Sequence, residues 1–313
     1  MLNKSIVLDD NFVDSRLKLA FSYFSMNNSA KAKKIYESAL IKSEEIKDKR
    51  GIASSLRGLG MISASQQDFE KHLDYINRAK HIYEEIGDER GIFLILHDIG
   101  NYYRAKGNYN QALDYYKRSI SLSEKFGNQA LSLFTTGRIY EKMGELDLSL
   151  DYYFRSQKLF KEQEDYFRLQ AVTACIGIIY LYKNNINNAI IHLQKSHEIQ
   201  IELGINAQDR LATTTYLNLS YKKIGDKIDI KEIHKLIKET ENSGLKLIRL
   251  FEDEAISFSL YELLEDTFYL KTAYNQVQEK VDGMEEELAA KFLSYPIPKA
   301  IVEEWEKVTT DKN

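Results

Sequence analysis

Residues 100–119 read GNYYRAKGNYNQALDYYKRS, and this stretch decides the fold class. From Tyr109 onward, apolar side chains recur at intervals of three and four residues, which is the spacing of one face of an α-helix. Gly107 precedes that face and can adopt the positive φ of a helix-ending turn. The stretch therefore predicts the end of one helix, a tight turn and the start of a second helix.

The same pattern recurs along the chain in six copies, at steps of 40, 40, 37, 40 and 41 residues. Each copy has a small residue at one fixed position, in most copies an aromatic residue three positions later, and in most copies small residues twelve and nineteen positions later. The fixed position is held by Ala20, Gly60, Gly100, Gly137, Gly177 and Asn218. Such a repeat predicts an all-α chain of stacked helix pairs, in which small residues let the two helices approach closely.

Six positions of the quoted stretch together resemble the signature of the tetratricopeptide repeat (TPR). They are Gly100, Tyr103, Gly107, Ala112, Tyr116 and Ser119. The long spacing is similar to that of kinesin light chains, LGN/Pins scaffolds and bacterial Rap-type regulators. The resemblance implies a right-handed superhelix, an α-solenoid of six to seven helix-turn-helix repeats with a C-terminal capping helix, whose first helices line a concave groove.

The repeat divides the chain into three parts, since a solenoid must cover the apolar face at its end. We expect an N-terminal tail at 1–12, a repeat array at 13–283 with six clear repeats and one irregular repeat, and C-terminal capping helices at 284–313. Within the last part, Pro296 and Pro298 are expected to break the chain before a short final helix.

Groove-facing positions, as the resemblance implies, lie three residues before and one, four and five residues after each fixed small residue. Repeats two to four place cations and an amide there, and repeat five adds apolar side chains. These candidate site residues are Arg57, His97, Asn101, Arg104, Arg138, Lys142, Ile178, Leu181 and Tyr182. Because arginine binds carboxylates bidentately and asparagine can bond both backbone groups, we expect an extended acidic peptide or protein segment as the ligand.

Two functions follow from such a groove. The chain is a scaffold or adaptor that holds another protein, or a peptide-responsive signalling regulator that changes superhelical pitch and acts on a separate output protein. The carboxylate clamp of chaperone-binding TPR proteins is poorly supported. Asn101 fits one clamp position, but His97 stands where the clamp needs lysine.

Composition and motifs exclude several other classes. A net charge of −4 gives no general attraction to nucleic acid, and no apolar stretch reaches membrane-spanning length. Neither a phosphate-binding glycine loop nor a His-Glu-x-x-His metal motif occurs. The lone Cys175 is interpreted as a small core hydrophobe. We therefore expect a cytoplasmic, non-enzymatic protein without cofactor or metal, as a monomer or weak dimer.

Overall fold

The computed structural model describes residues 12–26, 28–126, 129–242 and 254–310. These residues form sixteen α-helices and one short 3₁₀-helix, with no β-strand among them. The all-α fold class predicted from the repeat is confirmed. Apart from residue 12, the predicted N-terminal tail lies outside the described residues.

The helices belong to two compact units, and the first contains the described residues of Met1–Ala105 and Asn110–Asn128. Its helices stack as antiparallel pairs, one pair for each repeat. They are α1 Phe12–Ser25, α2 Ser29–Glu45, α3 Lys49–Ser65, α4 Phe69–Glu85, α5 Glu89–Ala105 and α6 Tyr109–Ser123. The 3₁₀-helix follows at Glu124–Phe126.

The second unit contains Lys106–Tyr109 and the described residues of Gln129–Asn313. It continues the repeat with three helix pairs and ends in four further helices. The repeat helices are α7 Ala130–Met143, α8 Leu146–Glu162, α9 Tyr166–Tyr182, α10 Ile186–Glu202, α11 Ala207–Lys223 and α12 Ile230–Asn242. The further helices are α13 Glu254–Leu264, α14 Thr267–Val281, α15 Glu286–Leu293 and α16 Pro296–Thr310.

Left-handed residues make the turns between helices. The predicted turn glycine Gly107 has a φ angle of 71°, and Gly144 and Gly225, in the corresponding turns of later repeats, have 82° and 73°. Other turns use residues with a side chain, such as Lys47 at 59° and Glu265 at 60°. Glycine is the residue that adopts this conformation without strain, so the turns without glycine carry no such signal in the sequence.

Aspartate or asparagine begins many of the helices. The carboxylate of Asp48 accepts a hydrogen bond of 3.0 Å from the N–H of Gly51, and Asp165 does the same for Arg168 at 3.0 Å. Each cap satisfies one of the backbone N–H groups that a helix start leaves unpaired, which stabilises it by about 0.5–2 kcal/mol. The turn and the cap together fix where each helix begins.

The fixed small residue forms a notch that the second helix of the pair fills with a large side chain. A Cβ placed on Gly100 would lie 2.6 Å from the ring of Tyr116, and one on Gly137 would lie 2.6 Å from the ring of Tyr153. Both tyrosine side chains are completely buried. The close approach predicted for the glycine column is therefore present in α5–α6 and α7–α8.

The aromatic column lies beside this notch. Tyr103 stacks on Tyr115 with ring centroids 5.5 Å apart, and Tyr140 lies 5.4 Å from Tyr152. Both contacts join the two helices of one pair at a twelve-residue separation. The aromatic residues that recur three positions after the fixed small residue thus lie in the contact between helices.

The last helix begins earlier than the sequence interpretation placed it. Helix α16 begins at Pro296, so both prolines lie in its first turn, where the missing N–H has no helical partner to lose. Helix α13 packs on α11, and α16 packs on α7, α13, α14 and α15. The C-terminal helices thus lie against the earlier repeat helices α11 and α7.

No helix in the described part of the chain has both the length and the apolar character that crossing a bilayer requires.

Replacing a notch glycine with alanine is expected to destabilise its unit. We expect Gly100→Ala and Gly137→Ala each to lower the free energy of unfolding by about 1–3 kcal/mol, because the new methyl group overpacks a buried tyrosine ring. Chemical denaturation followed by circular dichroism measures this change. Gly283→Ala is the matched control, since its Cβ would meet only the carbonyl oxygen of Lys280, at 3.8 Å. Equal stability of all three variants would contradict the notch.

Candidate functional site

The first unit holds four of the predicted groove residues, on α3 and α5. Three of them, His97, Asn101 and Arg104, lie at intervals of four and three residues along α5, so they share one face of that helix. The fourth, Arg57, lies on α3. The predicted residues of this unit therefore come from two neighbouring first helices.

A chain of hydrogen bonds fixes the polar side chains of α5. The hydroxyl of Tyr116 donates to Oδ1 of Asn101 at 2.8 Å, and Nδ2 of Asn101 lies 3.1 Å from Nδ1 of His97. Because an amide nitrogen only donates, Nδ1 of His97 accepts, and the ring hydrogen is assigned to Nε2. Nε2 is buried and has no hydrogen-bond partner among the described residues. This N–H lies inside the protein, so a ligand on the helix face does not reach it.

Burial lowers the pKa of His97 to about 4. The positive charges of Arg57 and Arg104 lower this pKa further, and the carboxylate of Asp98 opposes them. His97 is therefore a neutral donor at neutral pH. It is held by Asn101 in the tautomer described above.

The two predicted groove arginines of the first unit differ in whether they are already paired. Nε of Arg57 lies 2.5 Å from Oδ2 of Asp98, and the two side chains are 20% and 9% exposed. A second bond of 3.3 Å joins the same side chains. Arg104 is half-buried and forms no hydrogen bond or ion pair with the described residues. Arg104 is thus the available cation of this face.

Two more predicted cations, Arg138 and Lys142, lie on α7 in the second unit. Between them in the sequence, Glu141 accepts a hydrogen bond of 2.5 Å from the hydroxyl of Tyr153. Nζ of Lys142 lies 3.6 Å from a carboxylate oxygen of Glu254, the first residue of α13. The cation at this groove position already faces a carboxylate from within the chain.

The predicted apolar residues of α9 lie inside the second unit. Ile178 and Leu181 are only 8% and 5% exposed, and they belong to one apolar cluster with Leu260 and Leu263 of α13. Tyr182 is half-buried and packs against the same cluster. The groove pattern predicts that these side chains contact a ligand. In the structure they share an apolar cluster with the C-terminal segment.

Several residues of the site carry no signal that sequence reasoning used. Asp98 follows His97 directly but does not lie in a groove column, and Glu254 lies 112 positions after the lysine that it faces. Tyr116 and Tyr153 could have been found, because each lies sixteen residues after the fixed glycine of its repeat.

Metal-binding and thiol chemistry gain no support in the described part of the chain. No group of three or more His, Cys, Asp or Glu side chains is placed there to hold a metal ion. Cys175 is partly buried and packs against the cluster around Tyr153.

The comparisons with known proteins agree on the repeat. One family model of the tetratricopeptide repeat matches residues 91–162, and a second matches residues 14–42. The first match covers α5 to α8, whose small-residue notches and turns are described above, and the second covers α1 and most of α2. The chain contains tetratricopeptide repeats.

Several solved structures share the fold of this TPR protein. The apo form of RapI matches with a TM-score of 0.63 and 15% identity, over 87% of this chain and 97% of that chain. Aspartyl phosphate phosphatase F from Bacillus subtilis matches with a TM-score of 0.64 and 14% identity, over 89% and 70%. A Rap protein complexed with Competence and Sporulation Factor matches with a TM-score of 0.56 and 13% identity, over 94% and 98%. No curated protein sequence matches the chain.

Neutral His97 makes the stability of the TPR protein depend on pH. Its pKa is about 4 in the folded chain and ordinarily 6.5, so the unfolded chain binds the extra proton between these values. As the pH decreases from 6.5 to 4, we expect the free energy of unfolding of the wild type to fall by about 3 kcal/mol more than that of His97→Gln. Urea unfolding at several pH values measures the difference.

An exposed histidine on α4 provides the control for this measurement. His81→Gln is expected to follow the wild-type pH profile, since the side chain lies at the surface. A His97→Gln profile that runs parallel to the wild type would show that His97 does not titrate as proposed.

Proposed function

We propose that this TPR protein is a cytoplasmic scaffold or adaptor that binds an extended acidic peptide or protein segment along the groove faces of its first helices. A solenoid of stacked helix pairs presents such faces and binds partners through them. The contact residues are Arg57, His97, Asn101, Arg104, Arg138, Lys142, Ile178, Leu181 and Tyr182.

The observation that carries this proposal is the face of α5. It combines an amide fixed by Tyr116 with the guanidinium of Arg104, which forms no hydrogen bond or ion pair with the described residues. Prearranged donors lose little conformational entropy on binding, and charge-assisted bonds to a carboxylate are the strong ones. A carboxylate of an acidic segment can pair with this guanidinium.

Charge pairing in the second unit supports the same ligand chemistry. Lys142 occupies a groove position and already lies 3.6 Å from a carboxylate oxygen of Glu254. A groove cation that faces a carboxylate of the protein can face a carboxylate of a ligand in the same way. The net charge of −4 supports a protein or peptide partner and disfavours nucleic acid.

A second function is favoured by one comparison. A similar fold belongs to a Rap protein complexed with Competence and Sporulation Factor. By analogy, this chain is a peptide-responsive regulator that acts on a separate output protein. A change in radius of gyration when a peptide binds, measured by small-angle X-ray scattering, favours regulation over a static scaffold.

Charge reversal on the groove face is expected to remove the partner. In affinity capture from lysate with identification by mass spectrometry, we expect Arg104→Glu and Arg138→Glu each to lower retention of the partner at least about tenfold. Each loses a charge-assisted bond and gains repulsion toward an acidic segment. Helicity and melting temperature of each variant are measured first.

Arginines on second helices provide matched controls. Arg118 on α6 and Arg155 on α8 are exposed, and each pairs with an aspartate of the preceding turn and lies over a tyrosine ring of its own helix. We expect Arg118→Glu and Arg155→Glu to retain the partner as the wild type does. A partner retained equally by all four variants would move the site away from the groove faces.

A further inference from the structure

Helix α13 lies across groove positions of the second unit. Its first residue, Glu254, faces Lys142 near the end of α7. Its last turn meets Nζ of Lys222, near the end of α11, through the carbonyl oxygens of Glu262 at 2.9 Å and Leu263 at 3.3 Å. Both lysines stand at groove positions of their repeats. Helix α13 therefore lies where a ligand of repeats four and six belongs.

Leucines of α13 cover the apolar part of the same face. Leu260 and Leu263 are fully or almost fully buried. They share one apolar cluster with Ile178 and Leu181 of α9 and Leu219 of α11. The two leucines lie three positions apart in the sequence, so both lie on one face of the helix.

The contacts at the two ends of α13 are polar contacts that a second helix of the same kind can also make. Among the described residues, Oε1 of buried Glu254 forms no hydrogen bond, and Oε2 lies 2.5 Å from Nζ of Lys280 on α14. Removing the carboxylate breaks a buried pair and is costly, whereas another carboxylate in the same place restores the pair. At the other end, Glu265 is 81% exposed, so its 2.8 Å pair with Lys222 is worth little.

We propose that α13 occupies the face formed by α7, α9 and α11 as an internal ligand, and that the partner of this face is an acidic amphipathic helix that replaces α13. The partner helix carries a carboxylate in its first turn and leucines six and nine residues later, as Glu254, Leu260 and Leu263 do. This inference rests on the proposed function, from which it takes the acidic character of the ligand. It adds that the segment bound at this face is helical.

The contact with Lys222 argues for a helix over an extended strand. The last carbonyl groups of a helix have no partner within it and carry partial negative charge. Nζ of Lys222 bonds two of these carbonyls on α13. An extended peptide does not present adjacent free carbonyls with a helix dipole behind them, so this lysine recognises a helix end.

The test uses the full-length protein and a synthetic probe. The probe is the peptide of residues 254–266, EAISFSLYELLED, labelled with fluorescein at its C-terminus. We expect Glu254→Gln in the protein to raise its affinity for the probe about tenfold over the wild type, because the internal helix is held less tightly. Adding Lys142→Ala to that variant is expected to return the affinity to the wild-type value. Fluorescence anisotropy measures all three dissociation constants.

A matched control and a second measurement keep the test decisive. Glu303→Gln makes the same change on the exposed side of α16 and is expected to leave probe affinity unchanged. If the Glu254→Gln variant does not fold, the test is instead amide hydrogen exchange of the wild-type protein, measured with and without saturating probe. Faster exchange in α13 supports the proposal, and unchanged exchange overturns it.

Three other results would overturn the inference. One is equal probe affinity of the wild type and the Glu254→Gln variant, and another is a lower melting temperature without tighter probe binding. The third is a concentration-dependent dimer of the variant without probe, which would make a second copy the occupant. If the Arg104-dependent partner is still captured in these cases, the proposed function holds and only the inference about α13 is wrong. If the probe binds as expected but charge reversal at Arg104 changes nothing, the proposed function is wrong and the inference about α13 holds.

Discussion

The contact between a glycine on one helix and a tyrosine ring on its partner governs both the packing and the groove face of a helix pair. In α5–α6 the ring of Tyr116 fills the space that a Cβ of Gly100 would occupy. The ring passes so close to the backbone of α5 that its hydroxyl reaches Asn101 on the groove side. The side chain that packs the pair thus also orients a polar group of the site.

In repeats three to five, the side chain in the notch is coupled to the chemistry of the groove. Tyr153 fills the notch of Gly137, and its hydroxyl binds Glu141 of the groove face. Repeat five instead places Leu193 against Gly177, where a Cβ would lie 2.7 Å from Cγ. Leucine offers no hydrogen bond, and the groove positions of that repeat are the apolar Ile178 and Leu181. A tyrosine behind the notch therefore accompanies a fixed polar group in front of it.

Local features of the fold could be predicted from the sequence, whereas contacts between distant segments could not. The notch glycines, the aromatic column and Gly107 follow from a pattern that repeats about every 40 residues. The pairing of Lys142 with Glu254 depends on the path of the chain after the repeats, which no periodicity encodes. Pro296 was misread because proline breaks a helix interior but is well suited to a first turn.

Charge pairing separates the groove cations into fixed and exchangeable ones. Asp98, which neutralises Arg57, is part of α5, so a ligand that displaced it would have to disrupt a framework helix of the array. Glu254 lies at the start of a C-terminal helix outside the repeats, and one of its oxygens lacks a hydrogen bond. Breaking a buried pair is costly when one charge is left alone, but an incoming carboxylate that takes the place of Glu254 restores the pair. Exchange of one carboxylate for another is therefore feasible at Lys142, whereas a ligand that contacts Arg57 binds beside Asp98 and leaves that pair in place.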